Sequence, residues 1–195
     1  MSKENINKGI SITGGTGFIG NHLINYFSKK NINSIRVLTR NINAISEKNN
    51  TTFIKGDLSS PSCIKKLLEN QDILINLAYI NRDYQANINA IELLVTTSIK
   101  YKIRKIIHLS TAVVAGRVNN HIINEDTACM PFNEYEKTKL AVEERLLELT
   151  QDKIELIIIR PTAVFGPGGM NLVKTIESNL YQPRIIKIIR IMLNK

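Results

Sequence analysis

Short apolar runs alternate with longer amphipathic segments along most of this chain. Runs rich in isoleucine, leucine and valine predict β-strands over residues 10–12, 35–39, 52–55, 73–77, 106–109 and 154–159. The runs at 73–77 and 154–159 are mostly apolar without alternation, as expected of strands buried on both faces. Apolar positions at helical spacing predict helices over residues 18–30, 61–70, 84–101 and 135–150. This alternation predicts an α/β fold, a doubly wound parallel sheet with right-handed crossovers and helices on both faces.

A turn with three regularly spaced glycines joins the first predicted strand to the first predicted helix. Its sequence is Thr-Gly-Gly-Thr-Gly-Phe-Ile-Gly, residues 13–20. Gly14 allows a sharp reversal, Gly17 leaves room for a diphosphate against the backbone, and Gly20 lets the helix pack closely on the strand. The helix N-terminus offers free N–H groups and a positive dipole end to the phosphates. The pattern predicts a dinucleotide-binding turn in a Rossmann-type sheet; the alternative is a purely structural strand-to-helix turn.

The residue after the second predicted strand bears on the choice of cofactor. An acidic side chain at this point, about twenty residues past the glycine turn, hydrogen-bonds the adenosine ribose of NAD. The chain has Arg40 there instead. A guanidinium suits a 2′-phosphate, which favours NADP over NAD. The alternatives are that Arg40 is a solvated loop cation or that it stacks on adenine.

Polar side chains also follow the other predicted strands. Asp57, Asn76 and Thr111 each stand at or just after a strand end. Because ligands of open parallel sheets bind at the carboxyl ends of the strands, these residues are expected to share one crevice with the glycine turn and Arg40. His108, inside a predicted strand, is interpreted as a packed core histidine, and His22 and His121 as surface residues.

Tyr135 and Lys139 are one helical turn apart in the last predicted helix. Residues at i and i+4 share a face, so the phenol and the ammonium can approach one substrate together. A free tyrosine has a pKa of about 10, and a nearby cation lowers that value by stabilising the phenolate. Tyr135 is therefore predicted to move a proton to or from a substrate hydroxyl, with Thr111 hydrogen-bonding the same oxygen. The alternative is an unremarkable surface pair.

Composition and charge bear on whether the protein binds nucleic acid, a metal ion or a membrane. The chain has 195 residues and a formal net charge of +9, but its basic residues are scattered and do not form a nucleic-acid-binding face. The two cysteines, Cys63 and Cys129, lie far apart without metal-ligand spacing. No apolar run is long enough to span a membrane, and the polar N-terminus lacks a signal core. The prediction is a cytoplasmic protein with no metal site and no nucleic-acid partner.

Taken together, these motifs resemble the extended short-chain dehydrogenase/reductase family, in its NAD-dependent epimerase/dehydratase branch. The matching segments are the glycine turn at 13–20, Gly-Asp-Leu at 56–58, Asn-Leu-Ala at 76–78, Asn87, Leu-Ser-Thr-Ala-Val-Val-Ala-Gly at 109–116, Tyr135 with Lys139, and Arg-Pro-Thr-Ala-Val-Phe-Gly-Pro-Gly at 160–168. They occur in the family's order and spacing and cover nearly the whole chain up to Gly169. Ala115 and Ala163 depart from the tyrosine and asparagine that many relatives carry, which weakens assignment to one sugar.

The resemblance implies a role for each matched residue. The diphosphate would be held by Gly14, Gly17, Phe18, Ile19 and Gly20. Asp57 and Leu58 would flank adenine, with the Asp57 carboxylate accepting from the exocyclic amine. Ala78 would lie against the cofactor and Asn87 would help to order it; the alternatives are a turn-forming Asp57 and a helix-surface Asn87. Thr111, Tyr135 and Lys139 would form the catalytic triad.

The resemblance also implies an activity. It is that of an NAD(P)-dependent epimerase, dehydratase or reductase acting on a nucleotide-linked sugar or a similar hydroxyl or carbonyl substrate, with hydride passing to the nicotinamide. Residues 1–169 would form the cofactor domain and residues 170–195 an incomplete substrate-lobe segment, and a homodimer is expected by analogy. The apolar, cation-containing run at 185–193 is read as a lobe helix or an oligomer contact, less readily as a membrane-surface helix. The alternative function is a truncated dinucleotide-binding module without turnover.

Overall fold

The computed structural model describes residues 9–30, 32–42, 50–117 and 122–169. Its strands are β1 (Ile10–Thr13), β2 (Ile35–Thr39), β3 (Thr51–Lys55), β4 (Ile73–Asn76), β5 (Lys105–Leu109) and β6 (Glu155–Ile159). Its helices are α1 (Phe18–Phe27), α2 (Pro61–Leu68), α3 (Tyr84–Lys100) and α4 (Glu134–Thr150), with a 3-10 turn at Ala112–Ala115. The predicted α/β alternation is confirmed.

The strands form one six-stranded sheet in the order β3-β2-β1-β4-β5-β6. Every neighbouring pair is parallel. The order reverses between β1 and β4, because the chain leaves β1 towards β2 and β3 and then returns to the other side. A crevice opens outside the carboxyl ends of the strands at such a reversal, and it is the usual ligand site of this architecture.

Each face of the sheet carries its own apolar core, because successive side chains of a strand point to opposite faces. On one face, Ile10 and Ile12 pack with β2 and β4 residues and with Ile24 of α1. On the other, Leu74 and Ile106 pack against the inward faces of α2, α3 and α4. The sheet is thus covered on both sides, and the ends of its central strands are held in fixed positions.

Three local predictions are corrected. Strand β6 is not buried: Ile157 and Ile159 are 37% and 45% exposed, because β6 is the edge strand of the described sheet and pairs only with β5. Helix α1 ends at Phe27 rather than Lys30, with Ser28 as C-cap. Helix α2 ends at Leu68 rather than at residue 70, with Glu69 as C-cap.

Contacts divide the chain into two compact units, Met1–Pro161 and Thr162–Lys195. All of the site geometry below belongs to the first unit. The predicted segment at 170–195, like His121 and most of the loop at 41–50, falls outside the described residues, so the predicted domain division stays a prediction. Among the helices described, none is both long and apolar enough to cross a membrane.

Candidate functional site

A groove of about 980 Å³ runs along the carboxyl ends of β1, β2 and β4. That volume is in the range of sites for small molecules and cofactors. Six of the predicted cofactor residues line it: Gly14, Gly17, Arg40, Asp57, Leu58 and Ala78. Phe18, Ile19 and Gly20 are not part of the groove wall; they form the first turn of α1, whose leading N–H groups have no acceptor within the helix.

The glycine turn is built by close backbone packing. Gly14 has a φ of +67°, and a Cβ on it would lie 2.8 Å from the backbone nitrogen of Ala78. A Cβ on Gly20 would lie 2.5 Å from the Cα of Gly15 and from the carbonyl oxygen of Gly14. Gly20 therefore lets α1 start directly against the turn itself. Gly17 lines the groove and has only one such neighbour, at 3.3 Å; its contact with a diphosphate stays a prediction.

Arg40 and Asp57 stand at the adenine end expected for the groove. Asp57 Oδ1 accepts hydrogen bonds from the backbone nitrogen and the hydroxyl of Ser59, at 2.9 and 2.8 Å. These two bonds, and then the charge of Arg40, hold the pKa of Asp57 below its usual value. Asp57 therefore does have the turn-forming role that was given as its alternative. A contact with adenine and a 2′-phosphate contact of Arg40 stay predictions.

Asn87 is buried, not at the helix surface, and it holds the segment that follows β4. Its Oδ1 accepts from the Ile80 nitrogen at 3.0 Å, and its Nδ2 donates to the carbonyl oxygens of Ile80 and Asp83, each at 2.6 Å. Ile80 and Asn81 form part of the groove wall. Asn87 thus shapes the groove through this segment without lining it.

Thr111 and Tyr135 meet at the end of β5. Their hydroxyl groups are hydrogen-bonded to each other, and Thr111 Oγ1 also accepts from the Val113 nitrogen at 3.4 Å. The ring edge of Tyr135 packs on Tyr79, with 5.1 Å between ring centroids and an interplanar angle of 83°. Because Tyr79 also lines the groove, it connects the groove to the predicted catalytic pair.

Lys139 lies one turn further along α4 and is buried. Its Nζ donates to the Leu109 carbonyl oxygen at 2.6 Å and lies 5.8 Å from the centroid of the Tyr79 ring. Burial lowers the pKa of Lys139 to about 8, against which the charge of Glu143 acts. The three predicted catalytic residues are therefore brought to one place.

The expected electrostatic effect of Lys139 on Tyr135 is not seen in the structure. The pKa of Tyr135 is raised, first by burial and then by the neighbouring Tyr79, and the hydrogen bond from Thr111 only partly opposes this. Lys139 is not among the causes of this shift, and its ammonium donates to the Leu109 carbonyl oxygen. Tyr135 is thus a phenol that keeps its proton at neutral pH.

Sequence reasoning missed a buried ion pair behind this group. Glu143, one turn after Lys139, is only 2% exposed and is held by Arg160 in a two-pronged contact, with Nη2–Oε2 at 2.6 Å and Nε–Oε2 at 3.0 Å. The pair ties α4 to the chain just after β6. The i, i+4 spacing from Lys139 to Glu143 was the available signal, because it puts both on the same inward face.

A second missed feature is a chain of buried polar side chains across three strands. Thr13 donates its hydroxyl hydrogen to Asn76 Oδ1, and Asn76 Nδ2 lies 3.0 Å from His108 Nδ1. His108 is 1% exposed, which confirms a packed core histidine, and burial lowers its pKa to about 3. Asn76 therefore faces the interior of the sheet, where it is used by Thr13 and His108.

Comparison with known proteins adds to this geometry. A model of the NAD-dependent epimerase/dehydratase family matches residues 10–189. The chain is 30% identical over 191 residues to dTDP-D-glucose 4,6-dehydratase of Dictyostelium discoideum, covering 81% of this chain and 44% of that protein. The solved structure of UDP-N-acetylglucosamine 4-epimerase from Methanobrevibacter ruminantium M1, in complex with UDP-N-acetylmuramic acid, superposes with a TM-score of 0.73 at 25% identity, over 83% of this chain and 57% of that one.

A second solved structure shares the fold at lower identity. It is dTDP-glucose 4,6-dehydratase from Bacillus anthracis str. Ames in complex with NAD, with a TM-score of 0.72, 22% identity, and coverage of 82% of this chain and 56% of that one. This chain therefore spans about half the length of the relatives it matches.

Proposed function

The chain belongs to the NAD-dependent epimerase/dehydratase family, and from this premise we propose that it binds a nicotinamide dinucleotide in the groove and oxidises or reduces a nucleotide-linked sugar beside Tyr135. The observation that carries the proposal is the junction at Tyr79. One side of this residue lines the groove, and its ring packs against Tyr135, which is hydrogen-bonded to Thr111. A cofactor lying in the groove would therefore end beside the hydroxyl pair.

The residues fit such a cofactor on three counts. The groove is large enough, and Gly14 and Gly17 present bare backbone to it. The leading N–H groups of α1 offer hydrogen bonds and a positive dipole end to a diphosphate. Bound there, the nicotinamide would supply a two-electron hydride acceptor or donor.

The protein's own part in the reaction is proton movement and orientation. Tyr135 keeps its proton in the free protein, so it is a donor to a substrate carbonyl in the reductive direction. Donation leaves a phenolate, which the cation of Lys139 would stabilise; in the oxidative direction this phenolate is the form that accepts the proton of a substrate hydroxyl. Thr111 hydrogen-bonds the same substrate oxygen and so fixes its position between the two hydroxyls.

Replacement of Tyr135 by Phe tests the mechanism. Tyr135→Phe removes only the hydroxyl, and we expect a loss of turnover of about 10²–10⁴-fold, the usual worth of a general acid or base. Cofactor affinity should stay at the wild-type value, because the groove is intact. The measurement is turnover of uridine- and thymidine-diphosphate sugars, with cofactor binding followed by calorimetry. Tyr84→Phe, at an exposed position at the start of α3, is the matched control; equal turnover in all three proteins would rule out the mechanism.

Arg40 carries the proposal for cofactor choice. It lines the groove next to Asp57, whose pKa it lowers, so its charge acts at this end of the groove. We propose that it favours NADP by pairing with the 2′-phosphate. Arg40→Ala should then weaken NADP binding about tenfold, the scale of a lost charged hydrogen bond, and leave NAD binding unchanged. Equal affinities of the wild-type protein for the two cofactors would refute the preference.

A second candidate is a dinucleotide-binding module without turnover. It is favoured by the raised pKa of Tyr135 and by the contact of the Lys139 ammonium with the Leu109 carbonyl oxygen. A turnover assay on the 195-residue chain separates the two candidates. Product formation with any nucleotide sugar excludes the module, and tight cofactor binding without product supports it. A homodimer also stays a prediction.

A further inference from the structure

A second, much smaller cavity lies next to Lys139, on the side of α3. It offers about 10 Å³ to the centre of a water molecule, which is the space of a single water. Its apolar wall comes mainly from α3 and α4, including Ile91, Leu94 and Val142. Its polar wall is formed by Asn76, Tyr79, Asn87, His108 and Lys139. A cavity of this size with several polar groups is of the kind that holds an ordered water.

One of these polar groups has an unsatisfied hydrogen-bonding atom. Because Asn76 Oδ1 accepts from Thr13, its amide NH₂ donates to His108 Nδ1. The neutral ring then carries its hydrogen on Nε2, at the opposite side of the ring. Nε2 is buried and has no hydrogen-bond partner among the described residues. A buried N–H without an acceptor is unfavourable, so a partner is expected.

Lys139 has donor capacity to spare at the same cavity. An ammonium has three N–H groups. One is used by the Leu109 carbonyl oxygen, and the Tyr79 ring lies within cation–π distance. Lys139 is close enough to His108 to depress the pKa of the imidazole, and both side chains line the cavity.

We propose that one buried water fills this cavity and accepts hydrogen bonds from His108 Nε2 and Lys139 Nζ, which makes His108 a positioning residue for Lys139. A water oxygen has two lone pairs and can accept both bonds. The hydrogen-bonded series Thr13–Asn76–His108–water then holds the Lys139 ammonium at the cavity. The Leu109 carbonyl oxygen, at the end of β5, holds the same ammonium through a separate hydrogen bond. The proposal rests on the proposed function only for the use that catalysis makes of Lys139.

The titratable groups facing Lys139 are few. Glu143 and Tyr135 lie on its own helix, Tyr79 on the segment after β4, and His108 on β5. From α3, the side chain at the cavity that can hydrogen-bond is the amide of Asn87. Since His108 is neutral, replacing it by another neutral residue changes no charge near Lys139. A change in the Lys139 pKa would then report hydrogen bonding to its ammonium.

Two substitutions separate the two sides of the imidazole ring. His108→Gln places an amide near the Nε2 position, so it keeps a donor to the water and loses the contact with Asn76. His108→Asn places an amide near the Nδ1 position, so it keeps the Asn76 contact and loses the donor to the water. If His108 had only a structural role, His108→Asn would disturb the protein less than His108→Gln, because it keeps the contact with Asn76. The proposal expects His108→Asn to have the larger effect on the Lys139 pKa, because it loses the donor to the water.

The test is the Lys139 pKa, measured in the ligand-free protein by NMR titration of its side-chain resonance, together with high-resolution crystal structures of the three proteins. We expect a water between His108 Nε2 and Lys139 Nζ in the wild type and in His108→Gln, with the same Lys139 pKa. In His108→Asn the water should be missing and the pKa lower by about one unit, a tenfold loss of proton affinity.

Val142→Ile gives a second route that leaves His108 in place. It adds one methyl group at the cavity wall, which should displace the water and lower the Lys139 pKa in the same direction. An empty cavity in the wild type, or equal Lys139 pKa values in the Asn and Gln variants, would overturn the proposal. Because no cofactor or substrate is present in these measurements, their outcome does not depend on whether the chain turns over a nucleotide sugar.

Discussion

The two halves of the site are built by different means. At the glycine turn the shape comes from backbone packed on backbone: a Cβ on Gly14 or Gly20 would collide with main-chain atoms of the turn or of the segment after β4. Around α4 the shape comes from buried polar side chains, namely Lys139 against the Leu109 carbonyl and Glu143 against Arg160. The first half depends on the absence of side chains, and the second on the pairing of charges.

This difference determines what each half tolerates. A backbone-built turn has few alternatives, because the clash is with atoms that cannot rotate away. A buried ion pair can be replaced as a whole, but removal of one partner leaves an uncompensated charge. The cofactor half should therefore fail at single glycines, and the α4 half should fail when pairs are broken.

The largest effect is expected at the buried pair. Arg160→Met leaves the carboxylate of Glu143, which is only 2% exposed, without a partner. We expect a loss of about 3–5 kcal/mol in the free energy of unfolding, measured by urea denaturation. Glu143→Gln should cost less, about 1–2 kcal/mol, because Arg160 is 31% exposed and water can solvate it. Equal costs for the two variants would show that the carboxylate is not the group that needs the pair.

The next effect contrasts two glycines of the turn. Gly20→Ala puts a methyl group 2.5 Å from the Gly15 Cα, so the start of α1 must shift, at a cost of about 2–3 kcal/mol. Gly17→Ala meets one carbonyl oxygen at 3.3 Å and should cost less than about 1 kcal/mol. Urea denaturation measures both. If Gly17→Ala were as costly as Gly20→Ala, close packing would not distinguish the two positions.

The sequence predicted the backbone-built half better than the other. The glycine spacing and the strand ends that form this half are local patterns, which a sequence shows directly; in the α4 half the i, i+4 pair of Tyr135 and Lys139 is a local pattern of the same kind. The partnership of Glu143 with Arg160 joins residues from two elements, and Tyr79 reaches Tyr135 from the segment after β4. Such contacts depend on how the helices and strands pack, so they cannot be predicted from the spacing of residues along the sequence.

Two further outcomes were decided by packing alone. The pKa of Tyr135 rises because burial and Tyr79 outweigh the hydrogen bond from Thr111, while the ammonium of Lys139 donates to Leu109, although the spacing on the helix is as predicted. The apolar run of β6 indicated a buried strand, but its place at the edge of the described sheet leaves Ile157 and Ile159 partly exposed. In both cases the local sequence pattern was interpreted correctly, but the surrounding residues determined the pKa of Tyr135 and the exposure of β6.

The smallest expected effect is a pH dependence of stability, caused by the buried Lys139 of the α4 half. Lys139 has a folded-state pKa of about 8 against an ordinary value of 10.5. Between these values the unfolded chain binds more protons at this residue than the native chain, so stability rises with pH. The unfavourable burial of the charge is fully present below about pH 8 and is relieved as Lys139 loses its proton. We expect the free energy of unfolding to rise by about 2 kcal/mol between about pH 8 and pH 9.5.

The titration of Lys139 must be separated from the titration of Tyr135 and of the other lysines. The raised pKa of Tyr135 acts with the opposite sign, because above about pH 10 the unfolded chain loses the phenol proton first and stability falls. The urea-denaturation series therefore stops below that pH. Lys139→Met should remove the rise, whereas Lys137→Met, at a lysine that is 53% exposed on the same helix, should keep it. A flat profile in the wild type would mean that the buried ammonium is fully compensated by its contacts with Leu109 and Glu143, and that the α4 half carries no electrostatic cost.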